Sequence, residues 1–214
     1  HGIKVEIEHG KSYPVKIVCG LVLGKNSPED IIPTGSFIVV TDSNLFHLYD
    51  KFLKRFSKSV FVLPSGEKSK KIANVEKICR FGVKAGLDRS SSIVAFGGGV
   101  VGDIAGFSAS IYMRGISCVQ VPTTVLAMVD SSIGGKTGVD LPEGKNLIGS
   151  FWQPSRVLID PSFIKTLPEK EIKCGLAEII KYVMVLDKNL FEFLEKNIKK
   201  LLTPDIDFYE KIIG

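Results

Sequence analysis

A doubly wound α/β fold, with a mostly parallel nucleotide-binding sheet followed by the start of an all-helical second part, is predicted by three observations. Short apolar runs alternate with stretches of helical periodicity between residues 36 and 159. One of those runs, Ser92-Ile93-Val94-Ala95, leads straight into the glycine cluster Phe96-Gly97-Gly98-Gly99, which opens a helix-like stretch. Beyond Asp160-Pro161 only helical spacing remains, broken at Pro168 and Pro204. The chain therefore divides into a nucleotide-binding α/β part, residues 1–160, and a helical part, residues 161–214.

Taken in order, Lys4 to Glu8 and Tyr13 to Val18 read as an opening hairpin, and Ser36 to Val40 as a buried strand. Thr41-Asp42-Ser43-Asn44 ends that strand and caps a helix running to about Phe56, because short polar side chains accept from free helix N–H groups. Val60 to Leu63 is a further strand, Ser69 to Ala85 a helix, and Ser92 to Phe96 the strand before the triple glycine. Ile116 to Val121 and Val157 to Ile159 complete the set.

Composition narrows the function. With 214 residues, 44% of them hydrophobic, the chain can bury a full core. No run of 18 apolar residues occurs and no signal-like segment precedes the first strand, so a soluble cytoplasmic protein without a membrane partner is expected. The net charge of +5 is spread along the chain rather than gathered on one aromatic-studded face, which argues against nucleic acid and suits an anionic small molecule. Cys19, Cys79, Cys118 and Cys174 are scattered, without a Cys-x-x-Cys pair, and read as buried thiols in a reducing compartment.

Three clusters carry the chemistry. Gly97-x-Gly99-x-x-Gly102 follows a strand and opens a helix, where bare backbone N–H groups and the helix's positive end suit a pyrophosphate. A turn needing glycine only for packing has the same spelling, and no acidic residue stands ~20 positions on to hold a ribose. The second cluster, Val129 to Val139 followed by Gly144-Lys145-Asn146-Leu147-Ile148-Gly149, joins flexible glycine-rich backbone to two lysines, an aspartate and an asparagine. It fits either a phosphorylated polyol or a solvated loop. In the third, Ile172, Leu176, Ile179, Ile180 and Val183 recur at helical spacing, which puts Glu178 and Lys181 on the opposite face, with Gly175 leaving open space above the carboxylate. On spacing alone, an exposed ion pair beside a helix-weakening glycine is the better explanation.

These clusters, in this order, closely resemble 3-dehydroquinate synthases, NAD- and divalent-metal-dependent lyases of the sugar-phosphate cyclase superfamily. The likeness runs from about Ser65-Gly66-Glu67-Lys68 to Tyr182 and takes in Arg114-Gly115, Gln120-Val121-Pro122-Thr123-Thr124, Gln153-Pro154 and Lys165-Thr166-Leu167-Pro168. The resemblance implies NAD, a divalent metal (zinc or cobalt), a sugar-phosphate substrate and a homodimer. By motif match, Asp130 and Lys181 would bind substrate hydroxyls, Lys136 and Asn146 the phosphate end, and Arg114 the same end from the neighbouring subunit. Lys145 would lie beside the cofactor. Asp42, Glu67, Lys70, Gly98, Gly99, Val100, Val101, Gly102, Asp103, Thr123, Thr124, Phe163 and Thr166, with Lys136 and Lys145, match nucleotide contacts. Glu178 matches one metal ligand. The family's two metal-binding histidines lie further along, and His1, His9 and His47 match neither, so this sequence resembles the front part of such an enzyme and does not complete the metal site. Asp140 stands where asparagine is common, a difference read as neutral. Another sugar-phosphate cyclase, or a metal-dependent polyol dehydrogenase of similar fold, is the alternative.

Overall fold

The structure is a computed structural model and describes residues 2–6, 12–22, 24, 33 and 35–214. The distal end of the first expected strand, with His1 and His9, lies outside the described residues. β1 (Gly2–Val5) and β2 (Tyr13–Ile17) form the expected antiparallel pair. β3 (Phe37–Asp42) leads into α1 (Ser43–Leu48) and α2 (Asp50–Leu53), then a 3-10 segment, Lys54–Ser59. The single helix expected to run to Phe56 is thus broken: Tyr49, between α1 and α2, and Phe56 leave helical backbone angles. Tyr49 instead sets its ring edge-on against Phe96 and Phe163.

β4 (Val60–Leu63) precedes a 3-10 turn, Glu67–Ser69, and α3 (Ile72–Lys84). Then come β5 (Ser92–Gly97), α4 (Gly99–Ile111), β6 (Ser117–Pro122), the hairpin β7 (Lys136–Leu141) and β8 (Gly144–Phe151), and β9 (Arg156–Ile159). The helical remainder is α5 (Glu169–Leu186), α6 (Lys188–Lys196) and α7 (Ile206–Ile213).

Among the described residues, seven strands form one sheet in the order β1-β2-β9-β6-β5-β3-β4, parallel except at β1. Its central strands are buried on both faces, which is why they read as unbroken apolar runs. Val94 and Phe96 point into a core shared with Ile172, Leu176 and Ile179 of α5, whereas Ile93 and Ala95 face the core formed with Val75 and Ile78 of α3 and Ile104 of α4. Asp160, fully buried just after β9, accepts from the Gly20 and Val22 amides at 2.8 and 2.9 Å and from Ser162 N–H at 3.0 Å. A buried carboxylate with that many donors is stable where it sits, and it fastens the turn after β2 to the entrance of the helical part.

Two expectations are corrected here. Cys19 and Cys174 are exposed, since Cys19 lies in a surface turn and Cys174 faces outward from α5; Cys118 is buried and Cys79 half-buried, and all four are unpaired. Residues 136–151 are not a flexible loop but two paired strands, β7 and β8.

Candidate functional site

The sheet places the site. From β3 the chain passes to β4 on one side, and from β5 to β6 on the other, so the connections part company between the neighbouring strands β3 and β5. Ligands of open α/β sheets settle in the crevice outside the carboxyl ends of strands at such a point. Gly97 ends β5 and Asp42 ends β3, so the glycine turn flanks this crevice.

Glycine is needed there for closeness, not for unusual backbone angles, because none of Gly97, Gly98, Gly99 and Gly102 has positive φ. A Cβ on Gly97 would stand 2.5 Å from the Val101 Cβ, one on Gly98 3.0 Å from the Thr124 methyl, and one on Gly99 3.1 Å from the Ser131 hydroxyl. α4 starts at Gly99 with no side chain capping it and no acidic residue in its first turn. Its free N–H groups and positive end are thereby left for an external anion, and this cradle fits a dinucleotide pyrophosphate.

Around the turn the residues singled out in the sequence converge. Lys70, 5% exposed, pairs with Asp103 of α4 at 2.5 Å and donates to the Asn146 carboxamide oxygen at the hairpin tip. Lys145 pairs with Glu67 at 3.0 Å, which raises the lysine's pKa. Burial holds the Asp103 carboxyl above its ordinary range against the opposing pull of Lys70. Thr123 N–H donates to Gly97 O at 3.0 Å, and the Thr124 hydroxyl accepts from Ala127 N–H at 3.2 Å.

Other candidates are engaged structurally. The Asp42 carboxylate caps α1 through the Asn44 and Leu45 amides at 2.9 and 3.1 Å. The Phe163 ring is buried against Tyr49 and Phe96, and the Thr166 hydroxyl lies 2.5 Å from Tyr49 Oη.

A second group lies where a π-helical turn, Ala127–Ser131, meets α5. Lys181 and Glu178 form the ion pair that the spacing predicts. Tyr182, one helical turn beyond Glu178, donates its hydroxyl to Asp130 Oδ1 at 2.9 Å, and this bond lifts its pKa to about 12. Sequence reasoning gave Tyr182 no part, although its spacing of four from Glu178 already put it on the same face. Gly175 does not leave open space above the carboxylate. A Cβ there would run into Val125 and come within 2.7 Å of the Leu126 amide nitrogen, so this glycine lets α5 press against the 125–126 backbone. Ile180 is 38% exposed and falls off the buried face. Among the described residues no three His, Cys, Asp or Glu side chains gather as a metal site.

Lys136 and Arg114 are exposed. Met113 and Arg114 both adopt left-handed backbone, with φ of 49° and 68°, and Gly115 follows at 120° with the Trp152 ring packed against it. Two consecutive non-glycine residues held in this region signal a turn fixed by its surroundings, which no sequence pattern announces.

Residues 60–174 match the family model described as 3-dehydroquinate synthase N-terminal. A 3-dehydroquinate synthase of Dictyoglomus thermophilum is 48% identical over 212 residues, covering 99% of this chain and 59% of that protein. Another, from Acidithiobacillus ferrooxidans, is 43% identical over 95% of this chain and 57% of its own length. Among solved structures, 2-epi-5-epi-valiolone synthase of Streptomyces hygroscopicus, with NAD+ and Zn2+ bound, superimposes with a TM-score of 0.85 at 30% identity, covering 98% of this chain and 60% of that one. The chain thus spans less than two thirds of the length of these proteins.

Proposed function

The chain belongs to the 3-dehydroquinate synthase family, and on that premise we propose that it is the NAD-binding part of such an enzyme, joined at residues 160–161 to the start of its helical part. The whole enzyme would convert 3-deoxy-D-arabino-heptulosonate 7-phosphate to 3-dehydroquinate and phosphate, working as a cytoplasmic homodimer. The observation that carries this reading is the convergence of Glu67, Lys70, Asp103, Lys145 and Asn146 around an uncapped, glycine-lined helix start. Structures of relatives hold NAD+ with Zn2+ or with Co2+, which supports the same cofactors here.

When bound, NAD would supply reversible hydride chemistry at a hydroxyl-bearing ring carbon, the hydride leaving that carbon and later returning to it while the hydroxyl proton goes to a base, so that no net NADH appears. The residues of the chain would do the rest. Backbone N–H groups of Gly99 to Val101 would hold the pyrophosphate, and Lys70 with Asp103 would fix the helix that presents them. Asp130, fastened by Tyr182, and Lys181 would bind substrate hydroxyls, while Lys136 and Asn146 would bind the phosphate that departs. Arg114, presented by its strained turn, would complete that phosphate site in the partner subunit. Glu178 supplies one carboxylate, whereas a catalytic zinc ordinarily takes three protein ligands. Among the described residues the donors present do not fit a complete metal site.

The test is substrate turnover by a protein carrying this chain at full family length, following phosphate and NADH separately. Phosphate without net NADH is expected; accumulating NADH from a simple polyol would favour the dehydrogenase alternative. Mixing full-length Arg114→Ala and Lys136→Ala subunits should restore activity, because one site of each mixed dimer regains both residues. Failure despite proven subunit exchange would count against the shared site.

A further inference from the structure

Asp140 sits at the irregular position of the β7–β8 hairpin, where the register shifts between Val139 and Leu141. The extra residues lie on the facing strand, since Val139 pairs with Ile148 and Leu141 with Gly144, so Asp140 stands opposite a bulge that takes Lys145 and Asn146 out of the regular alternation. The Asp140 backbone N–H donates to the Lys70 carbonyl at 2.8 Å, joining the hairpin to the 67–70 turn. Its carboxylate Oδ1 accepts the Asn146 backbone N–H, also at 2.8 Å. Asn146 has φ of 57°, a left-handed conformation that a side-chain acceptor helps to hold. In that conformation its carboxamide receives Lys70 Nζ, and the preceding residue, Lys145, reaches Glu67. One residue therefore ties the tip to the turn through its backbone and shapes the tip through its side chain.

We propose that Asp140 is a positioning residue for the dinucleotide site, holding Asn146 and Lys145 at the mouth of the glycine turn. The proposal rests on the reading of that turn as the NAD site. What the geometry requires of position 140 is an acceptor at the Oδ1 position, not a charge: an asparagine supplies it, an alanine lacks it, and a glutamate carries it one methylene too far.

The test is calorimetric titration of this chain with NAD for the unmodified protein and for Asp140→Asn, Asp140→Ala and Asp140→Glu. Amide hydrogen exchange at Asn146 and thermal melting are read on the same samples. Asp140→Asn should keep the unmodified affinity within about twofold and retain slow exchange, whereas Asp140→Ala and Asp140→Glu should each bind about tenfold more weakly, with fast exchange at Asn146. If alanine fails to fold, glutamate and asparagine still separate placement from charge. Equal affinity in all four proteins, or equal weakening in all three variants, would overturn the role given to Asp140 alone. Absence of NAD binding by the folded, unmodified chain would overturn the cofactor reading and the proposal with it.

Discussion

The glycine turn at residues 97–102 and the glycine-rich hairpin at 134–149 are spelled alike and use the residue differently. In the turn, glycine removes atoms. Its backbone angles are open to any residue, and what a Cβ would meet is Val101, Thr124, Ser131 or Gln120 side chains. In the hairpin, Gly134 and Gly135 have φ of 88° and 71°, and Gly138 and Gly149 face each other so tightly that a Cβ would strike the backbone of the opposite strand. The turn can therefore tolerate small side chains at Gly98, Gly99 and Gly102, though not at Gly97, where Val101 stands too close, whereas the hairpin fails as a structure. Lys70 links the two regions, gripping Asp103 on one and Asn146 on the other.

Cutting that link should have the largest effect on stability. Lys70→Ala strands a largely buried carboxylate and is expected to cost about 3 kcal/mol in chemical denaturation at neutral pH. The deficit has a pH signature. A carboxyl raised above its ordinary value, as Asp103 is, contributes stability below that value and loses it as pH rises through the folded-state pKa. The Lys70→Ala deficit should accordingly shrink as pH falls from about 7 towards about 4, where the stranded group takes up a proton.

Next comes Gly149→Ala, whose Cβ would overlap the Thr137 carbonyl and lie 3.0 Å from Gly138 Cα; neither can swing aside. About 1–3 kcal/mol should be lost, seen as a lower melting temperature. Gly102→Ala is the contrasting case. Its Cβ meets only the Gln120 carboxamide oxygen, at 3.0 Å, and the gain in helix propensity offsets the shift, so stability should stay within about 0.5 kcal/mol. Equal losses in the two variants would erase the distinction between the regions.

The smallest effect belongs to Tyr182→Phe, which removes one exposed hydrogen bond. Its mark is the alkaline limb. The Tyr182 phenol is raised from an ordinary 10.0 to about 12, so its contribution is present below the first value and lost as pH rises through the second. Only across that window should the variant's stability curve depart in shape from that of the unmodified chain.

The central sheet was legible because strands buried on both faces leave unbroken apolar runs, and Val94 and Ile93 serve opposite cores from adjacent positions. The Glu178–Lys181 pair was legible because helical spacing alone sets it. The hairpin was not: residues 136–151 carry glycine and charge where a strand is expected to carry β-branched residues, and their pairing depends on Gly138 meeting Gly149 across the ladder. Gly175 was misread because the 125–126 backbone that crowds it lies fifty residues away in sequence. Likewise, the left-handed Met113–Arg114 turn runs into Gly115, against which Trp152 packs from far along the chain, and the Asn146 amide is bonded by Asp140. Local patterns locate elements; the side chains that aim the site are set by contacts between them.

The central claim, that the turn after β5 is built to receive NAD, is tested most directly by calorimetry of the chain with NAD beside its Gly99→Val variant. The unmodified chain should bind with measurable heat, and Gly99→Val should remain folded while losing binding, because its side chain occupies the space the pyrophosphate needs. No binding at millimolar NAD by the folded chain, or undiminished binding by the variant, would contradict it.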